Sequence, residues 1–356
     1  MPNPFAYGAH VTDPTRFVGR EAELRRIFAA LDTAHTGQLQ SVSVVGPRRI
    51  GKSSLLYHLT QVFRLRIAQP EPYVFAYVDL SAGKYGDLQN LLKGILADLH
   101  DALPNGAGTL KKQLREAARG GQVGLPEFEN AVSRFHALPL YPVICLDEFE
   151  QLTEHPAAFS DLLFDSWRSL INGSNLSFVI ASRKPLHELV KDTKLTSTFF
   201  GIFSDFIELG ELTEAEAKTL ISWGRQSDHP FTDDDCRRAL KLAGRHPLKL
   251  QLAGSLIYEA KAAPKMDWRA VEREYHRRVK QIFSGHEGKW KAKAKEMILA
   301  LGGAINELRG HPTDTEKSNW IWGWAAVLVL VILIAVALLG LLPLAIEFAV
   351  RWFLNQ

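Results

Sequence analysis

Residues 42–56 read Val-Ser-Val-Val-Gly-Pro-Arg-Arg-Ile-Gly-Lys-Ser-Ser-Leu-Leu (VSVVGPRRIGKSSLL). The opening apolar run suits a buried strand, and the closing run suits a helix whose first turn begins near Lys52. Between them Gly46 and Gly51 bracket the residues ahead of Lys52 and Ser53, the G-x-x-x-x-G-K-[ST] spacing of a loop that cradles phosphate. Glycines let backbone N–H groups curl inward around an anion, and the helix that follows aims its positive end at the same point. Lys52 adds a full charge, and the Ser53 hydroxyl suits a magnesium ion carried with the phosphates. Gly46, Pro47, Arg48, Arg49, Ile50, Gly51, Lys52, Ser53 and Ser54 are therefore the candidate binding loop. Two roles stay open for Arg48 and Arg49, an approach to phosphate and a solvated loop charge.

Such a loop needs an acidic partner at the end of another buried strand. Val143-Ile144-Cys145-Leu146-Asp147-Glu148 supplies it, an apolar run followed by two carboxylates. Asp147 is placed to hold the Mg2+ shell and Glu148 to polarise the attacking water as general base. Alone, a pair of acids after an apolar run also suits the first turn of a helix. Paired with the loop, it points to hydrolysis of a nucleoside triphosphate.

Strand-like runs recur at 41–45, 73–79, 143–147, 176–181 and 206–209, with helical patterns between them. They are short, β-branched and apolar on both faces, as a parallel sheet covered on both sides requires. The expected fold class is α/β, a doubly wound, parallel, five-stranded P-loop sheet domain followed by an α-helical lid and a single C-terminal transmembrane helix. Residues 106–124 read as a helical insertion. Beyond Leu212 the patterns at 213–224, 232–243, 247–260 and 267–283 are helical, and Thr213 with Glu216 forms a capping box at the first of them. The expected divisions are an N-terminal segment at 1–40, the sheet core at 41–210, the lid at 211–283, a basic helical segment and linker at 284–319, the membrane helix at 320–343 and a tail at 344–356.

Lys and Arg number 42 against 39 Asp and Glu in 356 residues, so the overall charge gives no argument for nucleic acid. The two cysteines, Cys145 and Cys236, suit reduced thiols rather than a disulfide or zinc framework. The histidines form no H-E-x-x-H spacing. The N-terminus has no apolar segment behind positive charge, so no secretory signal is read there. Residues 320–346 carry no charge, and 321–342 are almost wholly aliphatic. At about 1.5 Å per residue that length spans the roughly 30 Å of bilayer hydrocarbon. Tryptophans flank it, and Arg309 and Lys317 precede it, which predicts a single-pass protein of the cytoplasmic membrane with the N-terminal domain inside and the lipid bilayer contacted through 320–343. The lysines of 288–295 (GKWKAKAK) suit either anionic lipid headgroups or a solvated helix face.

The segments FVGREAEL at 17–24, GPRRIGKSSLL at 46–56, LDEFE at 146–150, VIASR at 179–183 and AGRHPLKLQLAG at 243–254, with Asn3-Pro4-Phe5-Ala6-Tyr7-Gly8 (NPF-x-x-G), resemble the STAND branch of AAA+-type P-loop ATPases. The resemblance covers about residues 3–283. It implies ATP and Mg2+ as ligands, Gly19 and Arg20 against adenine and ribose, and Arg183 as a sensor of the terminal phosphate. It further implies Pro247, after His246, against the base. Arg168 is a candidate for an arginine that acts in trans, with a solvated helical charge as the alternative. Glu148, Lys52 and Arg183 are the expected catalytic residues, and Ser53 with Asp147 the expected metal ligands. Relatives usually continue past the helical region into a winged helix and then a sensor or repeat region; here a short basic helical segment follows instead, so the expectation is that the usual effector or DNA-binding module is absent or replaced.

Three functions fit these readings. The first is a membrane-anchored ATPase switch whose nucleotide state controls lid closure and self-association, suited to bacterial signalling or defence. The second is a nucleotide-binding membrane scaffold that hydrolyses negligibly and tethers a protein partner. The third is a DNA-associated, initiator-like ATPase, which the balanced charge disfavours. Intact Lys52, Asp147 and Glu148 favour the first, acting as a homo-oligomer.

Overall fold

The computed structural model describes residues 2–284, apart from 38, 174–175, 192, 204–205 and 265. The chain divides into two compact units, Met1–Val279 and Lys280–Gln356, and the fold described below is that of the first. Its elements alternate through helix α1 (Glu21–Asp32), strand β1 (Val42–Val45), α2 (Lys52–Val62) and β2 (Tyr73–Asp79). Three helices then intervene, α3 (Leu88–Ala102), α4 (Gly108–Arg119) and α5 (Leu125–Ser133), of which α4 lies in the expected insertion. Strand β3 (Tyr141–Asp147), short α6 (Glu150–Thr153), α7 (Asp161–Asn172), β4 (Ser177–Ser182), short α8 (Leu186–Leu189) and β5 (Phe206–Glu208) complete the sheet region.

All pairings among the five strands are parallel, and their order across the sheet is β2-β3-β4-β1-β5. Alternation sorts the side chains onto two buried faces. Val42, Val44, Phe75, Val143, Cys145, Val179 and Ala181 pack towards α1 and α2, against Leu24, Ile27, Leu55 and Leu59. Val74, Ala76, Val78, Ile144, Leu146, Phe178 and Ile180 pack on the other face, against Leu92, Ile95, Phe128, Phe164 and Trp167. A strand buried on both sides has no polar face, which is why these runs read as continuous apolar stretches.

A helical bundle follows, made of α9 (Glu214–Ser222), α10 (Asp233–Ala243), α11 (Pro247–Ala262) and α12 (Trp268–Ser284). Capping boxes start α9 at Thr213 with Glu216 and α10 at Thr232 with Asp235. Glu216 also accepts the backbone N–H of Arg20 at 2.8 Å, so the start of α9 is tied to the segment before α1.

The expected fold class needs one correction. No helix among the described residues is long and apolar enough to cross a membrane. The most apolar candidate, α11, has 16 residues and reaches only about 24 Å at 1.5 Å per residue. The longest, α12, has 17 residues and alternates acids with bases along WRAVEREYHRRVKQIFS. The transmembrane element, the bilayer contact and the single-pass placement in a cytoplasmic membrane are therefore withdrawn. The stretch 320–343 that prompted them lies outside the described residues, as do 285–319 beyond the end of α12 and the tail at 344–356. Hydropathy and length alone report that a helix could enter lipid, not where the fold places it.

Candidate active site

The order of the strands creates the site. β1 lies between β4 and β5, whereas β2 lies three strands away, beyond β4 and β3, so the chain leaves β1 in one direction and β5 lies on the other side. A crevice at the carboxyl ends of a parallel sheet forms at such a point. Gly46, Asp147 and Ser182 end or follow the three central strands there, and Gly46 N donates to Ser182 O at 3.2 Å.

The loop between β1 and α2 curls back on itself. Gly51, the N-cap of α2, has φ 107°, a conformation open to glycine and disfavoured for other residues. Arg49 and Glu148 also hold positive φ, 65° and 52°, so non-glycine backbone strain borders the crevice from two sides. Lys52 opens α2 and is only 4% exposed. Its Nζ donates to Gly46 O at 2.9 Å and Pro47 O at 3.2 Å, which fixes the ammonium inside the curl. Burial lowers its pKa, while the carboxylates of Glu148, Glu150 and Asp147 hold the charge in place.

Asp147 is 2% exposed and receives three hydrogen bonds. Tyr77 Oη donates to Oδ2 at 2.9 Å, the Glu148 N–H donates to Oδ1 at 3.0 Å, and the Ser53 hydroxyl donates as well. Burial raises the pKa of Asp147, and these donors oppose the rise. Glu148, half-buried, is shifted upwards by burial and by the neighbouring Glu150, against Lys52.

A cavity of about 480 Å3 opens over these groups. Arg48, Arg49, Gly51, Lys52, Ser53, Ser54, Asp147 and Glu148 line it. So does Pro247 at the start of α11, with Leu248 and Gln251 on the same turn and a half. The N-terminal strap, residues 6–11, forms a further wall, and Tyr77, Asp79, Ser81 and Gln151 complete the lining. The strap is held at both ends. Phe5, 5% exposed, packs on Phe231 with ring centroids 5.5 Å apart, and Ala6 N donates to Gln251 Oε1 at 3.1 Å. At its far end Val11 N donates to Ser54 Oγ at 3.0 Å, and His10 lies 5.3 Å from the Tyr57 ring.

Other expected site residues do not line the cavity. Ile50 points into the core at 2% exposure, and Gly46 packs against Leu209. Arg20 is buried, and its guanidinium donates to Gly210 O at 2.7 Å and Ile50 O at 3.1 Å, which braces the loop from behind. Gly19 abuts the carboxyl of Glu216. Arg183 ends β4 at the same sheet edge but engages Glu150, with Nε to Oε1 at 2.6 Å, and Glu154 at 2.7 Å. Arg168 sits on α7, half-buried. Residues 3–8 carry part of the family resemblance, but nothing in the sequence assigns residues 6–11 to a wall of the cavity, and Tyr77 falls outside every motif. For Tyr77 the signal was present, because it sits two residues before the acidic end of β2 and so shares the face of Asp147 on β3.

A metal here finds hard oxygen donors in Ser53 and Asp147, already in contact, as magnesium prefers. Among the described residues no group of three or more His, Cys, Asp or Glu side chains could hold an ion alone. Two protein ligands completed by phosphate oxygens are the arrangement magnesium takes with nucleotides.

The comparisons agree with this geometry. Residues 16–179 match the family model described as AAA ATPase domain. The fold is that of the P-loop ATPases. A Walker-type ATPase of Pyrococcus abyssi superposes with a TM-score of 0.60 at 14% identity, over 88% of this chain and 91% of that one. The Aeropyrum pernix ORC2 protein, solved as ADPNP–ADP complexes, gives 0.54 at 15% identity, over 77% of this chain and 71% of its own. The Aeropyrum pernix ORC1 protein in complex with DNA gives 0.50 at 19%, over 74% and 66%. At these identities the likeness is one of fold. No curated protein sequence matches the chain. The matched stretch spans the binding loop and the Asp147-Glu148 pair and supports nucleotide hydrolysis in general terms. It ends within β4, ahead of Arg183 and the helical bundle.

Proposed function

We propose that the chain is an ATP-binding and ATP-hydrolysing switch of the STAND type, whose nucleotide state sets the position of the helical bundle over the sheet and promotes self-association. One observation carries this reading. Lys52, Ser53, Asp147 and Glu148 line a single cavity whose opposite wall is built by Pro247, Leu248 and Gln251 of the bundle. A ligand filling it touches both halves at once, and a ligand that favours one arrangement shifts the population towards it.

In this reading the backbone N–H groups of 48–54 and the Lys52 ammonium bind the phosphate tail, and Pro247 with the strap encloses the base. Ser53 and Asp147 would hold magnesium, which neutralises phosphate charge when bound. Glu148 accepts a proton from water as the water oxygen bonds to the terminal phosphorus and the bond to the leaving diphosphate oxygen breaks. The upward pKa shift of Glu148 brings it closer to the operating pH of a general base. Arg183, held by Glu150 and Glu154, would reach the terminal phosphate only by exchanging carboxylate for phosphate. A role for Arg168 in a neighbouring subunit belongs to the same reading, as does regulation by a protein partner.

The test compares wild type with Lys52→Ala and Glu148→Gln, following nucleotide binding by calorimetry, phosphate release and oligomer size. Lys52→Ala should lose ATP binding. Glu148→Gln should bind ATP, release phosphate at least 100-fold more slowly, a loss within the general-base range, and shift to the larger species. Wild-type turnover in Glu148→Gln would remove Glu148 from the base role. A size that never responds to nucleotide would remove the switch and favour a binding scaffold.

A further inference from the structure

Asp147 accepts a hydrogen bond from Ser53, and its third donor comes from a strand outside both motifs. β2 and β3 pair in register, Tyr77 opposite Cys145 and Asp79 opposite Asp147. Tyr77 is therefore the diagonal neighbour of Asp147, and both project to the face that packs on α2. The phenol oxygen lies 2.9 Å from Asp147 Oδ2. Its ring is itself fixed. Tyr57, on α2 one turn beyond Ser53, meets it edge-on at 5.8 Å, and His10 of the strap lies 6.1 Å away.

We propose that Tyr77 is a positioning residue, whose hydroxyl locks the Asp147 carboxylate in the orientation from which it and Ser53 take a magnesium ion. The proposal rests on the reading of Asp147 as a metal ligand. A phenylalanine would keep the ring packing on this face, where Tyr57 and His10 lie against it. The hydroxyl adds one thing, a donor to the carboxylate oxygen that the Glu148 N–H does not hold. Burial and the charge of Asp147 keep the phenol protonated far above neutrality, so it acts only as a donor. Groups of this kind, one bond behind a metal ligand, commonly change metal affinity by about 10-fold to 100-fold when removed. The strap enters the same chain of contacts through His10, so the N-terminal segment bears on the orientation of Asp147 as well as on the wall of the cavity.

The experiment uses the full chain and a fluorescent ATP analogue, with Tyr77→Phe, Tyr57→Phe and Asp147→Asn beside wild type. Binding is measured in excess EDTA and then against free Mg2+. Tyr77→Phe should bind the analogue in EDTA within twofold of wild type. It should require about 10-fold more Mg2+ for half of the magnesium-dependent gain in affinity, and its phosphate release should recover at high Mg2+. Tyr57→Phe should match wild type in both. A Mg2+ midpoint within twofold of wild type for Tyr77→Phe, with Asp147→Asn clearly shifted, would overturn the proposal and leave Asp147 as the ligand. Weakened binding of Tyr77→Phe already in EDTA would overturn it in favour of a packing role. An unshifted midpoint in Asp147→Asn would overturn both this proposal and the metal assignment on which it rests.

Discussion

At the scale of single residues, the molecule places its charges where each has a defined counterpart. Glu150 is 1% exposed and holds Arg183 through both the backbone N–H at 2.7 Å and Nε at 2.6 Å. Removing the arginine strands a buried carboxylate. Breaking such a pair from one side typically costs about 3 to 5 kcal/mol, and the partial exposure of Arg183 puts the expected loss near the lower figure, about 3 kcal/mol. Arg183→Ala should therefore lose stability in chemical denaturation, and Arg183→Ala combined with Glu150→Gln should recover part of it. A single variant as stable as wild type would show that Glu150 finds another partner. The same contact explains why spacing alone placed Arg183 at the sheet edge but not its direction. A strand end fixes where a side chain begins, and the carboxylates of α6 and of Glu154 decide where it points.

At the scale of elements, the strap overlaps the NPF-x-x-G segment at 3–8, but that spacing says nothing of its path over the site. Asn3 Nδ2 donates to Ser255 Oγ at 2.9 Å, Phe5 sits against Phe231 and Gly254, and Val11 reaches α2. A Cβ at Gly254 would stand 2.7 Å from the Phe5 ring, so α11 keeps a glycine where the strap crosses it. Phe5→Ala should lower stability by about 3 kcal/mol, the low end for a buried phenylalanine. It should also accelerate nucleotide release, because the wall formed by residues 6–11 loses its anchor. Fast release without loss of stability, or the reverse, would separate the two roles. The strands and most helices, by contrast, were legible in the sequence. Five apolar runs became five parallel strands, and the four helical patterns after Leu212 became α9 to α12. Periodicity reports burial, and burial on both faces is a local property of each run.

At the scale of the whole molecule, sheet and bundle meet around His246, the N-cap of α11, 8% exposed. Burial, with Lys249 and Arg20, pushes its pKa down to about 4, against the favourable charge of Glu211. A base with a depressed folded-state pKa stabilises the fold fully above its unfolded value, about 6.5, and that stability fades as pH falls towards 4. The protein should thus lose on the order of 3 kcal/mol between pH 7 and 4 from this residue. His246→Gln should flatten that portion of the stability–pH curve. A variant curve parallel to wild type through this window would assign the acid sensitivity to other groups.

By itself the sequence determined the phosphate-cradling loop, the Asp147-Glu148 pair, the parallel strands and the helical bundle, because each depends on residue type, spacing and period within one short segment. Only the tertiary structure decided the strand order β2-β3-β4-β1-β5, the passage of the strap across the cavity, the capture of Arg183 by Glu150 and the hydrogen bond from Tyr77 to Asp147. It also showed that Arg20 braces the loop from behind, and that no described helix reaches the length and apolarity a membrane crossing requires. Such contacts join residues tens to hundreds of positions apart, and their energies exist only after the chain has closed those distances.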